Sequence, residues 1–155
     1  QGSNSYTPLT ISTLVSTLAN GGMDYDVTIV KEIRTHDDSV VIFEKKPKGH
    51  SIELNDMSHI QDVREGMRRV VDNTGASDAF KILGFDIGSK TGTAERDGYS
   101  ENGQEHKSYA WYMAFAPFDN PKIATVTFIP EAGKSLNSVA VTRDILASFF
   151  KIPTN

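Results

Sequence analysis

The sequence contains no cysteine. That excludes disulfides, thiolate metal sites and a cysteine nucleophile, so any covalent chemistry must run through oxygen or nitrogen. Long apolar runs are also missing. No stretch approaches the roughly 20 residues that span a bilayer, and residues 1–5 carry neither a basic cluster nor an apolar signal core. Basic charge is short as well, with 16 Lys and Arg against 20 Asp and Glu, and it concentrates only at Lys45-Lys46-Pro47-Lys48 and Arg68-Arg69. Phosphate backbones need a dense basic face, so nucleic acid is not an expected partner. The histidines, His36, His50, His59 and His106, lack ligand spacing and are expected to be solvated, so no metal is assigned and no cofactor is expected. Gln1 is not a translational start, so the chain is expected to be a piece of a longer polypeptide.

What is present reads as helical and strand-like segments in turn. Thr7-Pro8 has the form of an N-cap followed by proline at the first helical position, and Leu9, Leu14, Val15 and Leu18 recur at near-helical spacing up to Asn20-Gly21-Gly22. This predicts a helix over residues 8–20. Residues 27–34 and 39–44 are rich in β-branched side chains around the turn-prone His36-Asp37-Asp38, which predicts a small hairpin, followed by a loop over 45–49. From Asn55 or Asp56 onward, Ile60, Val63, Met67 and Val70 form one apolar stripe. Asp62, Arg64, Glu65, Arg68 and Arg69 are left to face water, and this helix should stop near Asn73-Thr74-Gly75.

Three strand-like runs follow, over 85–95, 108–116 and 122–130. The last two are joined by Pro117-Phe118-Asp119-Asn120-Pro121, a link short and stiff enough to make them antiparallel neighbours. A final helix from about Ser138 is expected to turn Val141, Ile145, Phe149 and Leu146 inward and to end before Pro153. The order predicts an α+β fold, with helices packed on an antiparallel sheet.

Chemistry concentrates in Gly88-Ser89-Lys90-Thr91-Gly92-Thr93-Ala94-Glu95, inside the first of these runs. An ammonium, two hydroxyls and a glycine in succession along a strand edge suit an anionic ligand. Lys90 brings positive charge, Thr91 and Thr93 can donate to a carboxylate, and Gly92 lets a ligand backbone lie close. The Thr93 N–H could serve a developing oxyanion. Taken alone, the same residues also read as an exposed strand interrupted by glycine.

Around this stretch the chain resembles the transpeptidase domain of class B penicillin-binding proteins, the serine acyl-transferases that cross-link peptidoglycan. The resemblance rests on ordered segments. Gln1-Gly2-Ser3 through Thr7-Pro8-Leu9 is similar to G-Q-x-x-x-x-T-P-L, Ala19-Asn20-Gly21-Gly22 matches A-N-G-G, and Val63-Arg64-Glu65-Gly66-Met67 with Val70-Val71 resembles V-R-E-x-M and V-V. Residues 90–95 match K-T-G-T-A-[EQ], and Phe115-Ala116-Pro117 with Asp119-Asn120-Pro121 matches F-A-P-x-D-N-P.

The resemblance implies a penicillin-binding/β-lactamase-like transpeptidase fold and a D,D-transpeptidase working through a serine acyl-enzyme. Peptidoglycan stem peptides and β-lactams would be its ligands. Ser89, Lys90, Thr91, Gly92 and Thr93 would line the cleft. Lys90 and Thr93 would be catalytic, with Thr93 recognising the substrate carboxylate and lending its N–H to the oxyanion hole. It also implies a parent protein anchored on the outer face of the bacterial cytoplasmic membrane.

The family's S-x-x-K and S-x-N motifs belong upstream of K-T-G, and nothing upstream of Lys90 supplies them. Ser148-Phe149-Phe150-Lys151, Ser100-Glu101-Asn102 and Ser135-Leu136-Asn137 have the right letters but follow K-T-G, so they read as chance matches. The chain is therefore expected to be the C-terminal portion of one domain, inactive alone, with the nucleophile-bearing upstream part as its partner. A β-lactamase or β-lactam sensor of the same superfamily, and a non-catalytic partner-binding module, are the other readings.

Overall fold

Thr7 is extended and its hydroxyl accepts from the Thr10 N–H at 3.2 Å, so helix α1 (Pro8–Ala19) starts with proline where no N–H is needed. The computed structural model describes residues 5–95 and 108–154. The segment 96–107, which reads as a hairpin loop or a lip over the site, lies outside the described residues, as do Gln1-Gly2-Ser3 and Ser100-Glu101-Asn102. At its other end α1 closes with the Gly22 N–H on the Thr17 carbonyl at 2.8 Å and the Gly21 N–H on Leu18 at 3.4 Å. Asn20 Oδ1 accepts from the N–H of Gly22 and Met23, which turns the chain sharply. Gly22 sits at φ +107, and a Cβ there would meet Ile60 Cδ1 at 2.8 Å.

Strands β1 (Met23–Tyr25) and β4 (Gly49–Ser51) pair antiparallel, enclosing the hairpin of β2 (Glu32–Arg34) and β3 (Val41–Glu44). The predicted hairpin is therefore real but shorter, and the expected loop over 45–49 ends inside β4. The β1–β4 pair joins segments far apart in sequence and, at three residues, is too short for an alternating pattern to stand out.

Helix α2 (Ser58–Asn73) buries Ile60 and Met67, whereas Val63 is largely exposed. Arg64, expected to face water, instead turns inward. Its Nη1 donates to the Ala19 carbonyl at 2.9 Å and its Nη2 to the Phe118 carbonyl at 2.7 Å. Helix α3 (Ser77–Phe80) and a 3₁₀ turn (Lys81–Leu83) follow, too short to leave a periodic signal.

The main sheet has the order β5 (Gly88–Ala94), β6 (Tyr109–Ala116), β7 (Ile123–Ile129), all antiparallel. Helices cover both faces, as expected of an α+β fold. On one face Phe115 packs with Val15 and Ala19 of α1 and Met67 of α2; on the other, Tyr112, Ala114 and Ala116 pack with Phe80, Leu83, Val139 and Leu146. The cis Ala116–Pro117 peptide lies in the turn between β6 and β7, which the Phe118 N–H ties to the Asp86 carbonyl at 2.7 Å.

The last helix, α4 (Val139–Phe149), sits on the sheet through Val139, Thr142, Leu146 and Ala147. Of the residues predicted to turn inward, only Leu146 does; Val141, Ile145 and Phe149 are 43%, 42% and 51% exposed. Both sides of this helix carry apolar residues, and a buried hydroxyl pair marks the side that meets the sheet. Thr127 and Thr142 lie 2.8 Å apart, oxygen to oxygen, and Thr142 also donates to the Ser138 carbonyl at 3.0 Å. Such a pair leaves no buried hydroxyl without a partner.

Candidate active site

Strand β5 is an edge of its sheet among the described residues, hydrogen-bonded to β6 on one side only. Alternate backbone groups of such a strand point away from the ladder. Side chains alternate too, and the register assigns them to the two faces. Gly88, Lys90 and Gly92 stand opposite Phe115, Met113 and Trp111, on the α1 and α2 side; Ser89, Thr91 and Thr93 stand opposite Ala114, Tyr112 and Ala110, on the α3 and α4 side.

Lys90 is exposed, and its Nζ donates to the Thr91 carbonyl at 2.8 Å. Among the described residues no carboxylate pairs with it, so its charge remains open to an anion. Thr91 and Gly92 are half-buried, and Thr93 is exposed. A Cβ on Gly92 would approach Trp111 Cβ at 3.1 Å, so glycine avoids a tight contact with the neighbouring strand. Thr93 Oγ1 accepts from the Ser135 N–H at 3.3 Å.

Ser89 separates from this group. Its side chain is fully buried, and the Tyr112 hydroxyl donates to its Oγ at 2.9 Å. Among the described residues Ser89 thus packs in the core beneath the strand, with its hydroxyl facing Tyr112 and not the exposed edge. Burial pushes the Tyr112 phenol above its ordinary value, against the lowering effect of the Ser89 bond.

The structure gives roles to residues that the sequence left without one. Gly88 is required by packing: a Cβ there would lie 2.3 Å from Cε1 and Cζ of Phe115. Ser135, dismissed as part of a chance S-x-N, touches Thr93 through its backbone, while Asn137 donates to the Ala132 carbonyl and is occupied there. A cleft of about 360 Å³ lies beside Ile87, lined by Arg68, Asp72, Phe80, Lys81 and Phe85. None of Lys90, Thr91, Gly92 and Thr93 lines it.

The edge strand thus presents an exposed ammonium, which has no carboxylate partner among the described residues, together with an exposed threonine hydroxyl. The sequence pattern described as the penicillin binding protein transpeptidase domain matches residues 1–148, and the chain belongs to that family. It is 31% identical over 134 residues to penicillin-binding protein 2A of Bacillus subtilis (strain 168), covering 82% of this chain and 19% of that protein. It is 28% identical over 133 residues to the peptidoglycan D,D-transpeptidase PbpA of Mycolicibacterium smegmatis, covering 85% of this chain and 26% of the relative. Among solved structures, penicillin-binding protein 2B of Streptococcus pneumoniae (strain R6) superposes with a TM-score of 0.71 at 28% identity, over 97% of this chain and 26% of that one. The crystal structure of PBPA from Mycobacterium tuberculosis gives 0.72 at 25%, over 94% and 32%. The chain thus spans about a fifth to a quarter of the length of these curated relatives.

Proposed function

We propose that the chain is the C-terminal portion of a serine D,D-transpeptidase domain and walls one side of its peptide cleft with β5. An upstream part of the same domain supplies the nucleophilic serine and its base. The serine oxygen attacks the carbonyl of a stem peptide, the acyl-enzyme forms as the terminal residue leaves, and an amine of a neighbouring peptide takes the acyl group. The Lys90 ammonium draws the anionic end of the peptide into the cleft. The Thr93 hydroxyl donates to its carboxylate, and the Thr93 N–H stabilises the oxyanion. β-Lactams bind the same wall because they carry a carboxylate beside a reactive carbonyl.

The carrying observation is that Lys90, without a carboxylate partner among the described residues, shares an edge strand with an exposed Thr93 in a chain of this family. The upstream part also accounts for the apolar stripe of Ile123, Val141, Ile145 and Phe149, which lines an open hollow of about 620 Å³. Apolar area of that kind marks a contact surface. Among the described residues no helix is long and apolar enough to cross a membrane; an anchor of the parent protein at the outer face of the cytoplasmic membrane is proposed from family membership.

The test is labelling by a fluorescent penicillin. The full-length protein should form a covalent adduct, and residues 1–155 alone should form none. Lys90→Ala in the full-length protein should slow acylation at least tenfold while leaving the melting temperature within a degree or two. Equal loss of rate and stability makes Lys90 a structural lysine, and rapid turnover of the antibiotic assigns the protein as a β-lactamase.

A further inference from the structure

The hydroxyl proposed to meet the carboxylate is itself held. Thr93 Oγ1 accepts the Ser135 N–H at 3.3 Å. Ser135 opens a 3₁₀ turn (Ser135–Ser138) after Lys134, whose backbone is extended at φ -113, ψ 141. This turn is fixed from several sides. The Asn137 N–H donates to Lys134 at 3.0 Å, the Ser138 hydroxyl donates to the Ser135 carbonyl, and the Gly133 N–H reaches the Ser108 carbonyl at 2.9 Å, where the chain enters β6. The Ser135 N–H is therefore anchored to the sheet and does not follow Thr93 if that side chain turns.

A hydroxyl has one proton and two lone pairs. Once a fixed N–H occupies a lone pair, the proton is directed elsewhere, and the bond it then makes is strengthened by the one it accepts. Threonine has few χ1 choices on a strand, so this single bond selects among them. We propose that Ser135 is a positioning residue, whose backbone N–H orients the Thr93 hydroxyl so that its proton points along β5 toward a ligand carboxylate. This inference rests on the carboxylate-recognition reading of Thr93 and adds a specificity element from the loop between β7 and α4.

Ser135→Pro in the full-length enzyme removes the N–H and little else. Lys134 already has the extended backbone that precedes proline, position 135 is the first of a helical turn, and among the described residues this N–H makes no other hydrogen bond. Acylation rates are measured with a penicillin bearing a free carboxylate and with its methyl ester. Ser135→Pro should lower the acid-to-ester rate ratio about threefold to tenfold, Ser135→Ala should leave it unchanged, and Ser135→Pro should lower it no further in a Thr93→Val background. If proline prevents folding, replacing the amide between residues 134 and 135 by an ester, with lactate in place of Ser135, removes the same N–H and should lower the ratio alike. A ratio that falls with Thr93→Val but not on loss of the N–H overturns the positioning role and leaves the Thr93 reading intact. A ratio unmoved by Thr93→Val removes the carboxylate reading itself, and the role of Ser135 with it.

Discussion

The Arg64 guanidinium donates to the carbonyl of Phe118 at 2.7 Å and lies over the ring of the same residue, 5.4 Å from its centroid. Its other arm holds Ala19, and Phe115 lies 5.3 Å away on the same side. One side chain thus joins the A-N-G-G turn, the V-R-E helix and the F-A-P-x-D-N-P turn. Arg64→Leu keeps apolar contact with both rings but leaves two carbonyls without a donor. Unfolding of the complete domain in urea should show a loss of about 3 kcal/mol, with a smaller loss for Arg64→Lys, which lacks the planar fork. A loss below about 1 kcal/mol for leucine would mean that water takes over both carbonyls.

Gly88→Ala drives a methyl into the Phe115 ring at 2.3 Å, in a core closed by α1 and α2. Overpacking of this kind costs about 1–3 kcal/mol. Phe115→Leu should recover part of that loss in the double variant. Strictly additive losses on denaturation would place the strain elsewhere.

Ser89→Ala removes the acceptor of the buried Tyr112 hydroxyl and should cost about 1–2 kcal/mol, since the phenol is left without its partner. The acid-to-ester acylation ratio should not move. A changed ratio at unchanged stability would return Ser89 to the ligand.

Glu65 accepts from Arg68 at 2.7 Å and 3.0 Å and from Arg69 at 3.3 Å, and the Arg68 bond above all lowers its carboxyl from an ordinary 4.5 to about 2. A carboxylate depressed on folding contributes stability above its unfolded value and loses it as pH falls through the folded one. The stability difference between wild type and Glu65→Gln should therefore be full above about pH 5 and shrink steadily as pH falls through about 2. Denaturant midpoints measured across that range check it; a constant difference rules out the ion pair as the cause.

Ile145→Asp separates a covered helix face from a wet one. At an exposed position this change stays within about 0.5 kcal/mol, whereas burial of an unpaired carboxylate costs several times that. In the full-length protein a loss above about 2 kcal/mol is expected, if the upstream part lies on α4. Thermal melting of the two proteins decides.

Much of this was legible from residue order. Thr7-Pro8 and Asn20-Gly21-Gly22 bracket α1 because caps act within a turn of the residue that makes them, and the three strands of the main sheet announce themselves by β-branched and aromatic content. K-T-G stood out as a candidate site by its chemistry, although taken alone it read equally as an exposed strand interrupted by glycine. What stayed hidden depends on partners distant in the chain. Arg64 reads as a solvated charge because its acceptors lie 45 and 54 residues away. Ser89 sits among site residues in sequence, yet strand alternation and Tyr112 take it to the core. On α4 the more apolar stripe looked like the inner one, while Thr142, a polar residue, marks the buried side through its bond to Thr127. Ser135 acts through a main-chain N–H, which every residue but proline has and which no letter of the sequence records.

Lys90 and Thr93 leave opposite faces of one edge strand, with the polar groups of the backbone between them. A ligand laid along β5 would meet a cation on one flank, a hydroxyl on the other and a ladder of peptide groups in the middle. Three contacts of different chemistry that do not lie on one line distinguish a ligand from its mirror image when it can approach from one side only, and β6 closes the other edge of β5. A peptide of the opposite chirality could keep two of them and would forfeit the third, so the pleat of a single strand is enough to impose handedness on what it holds.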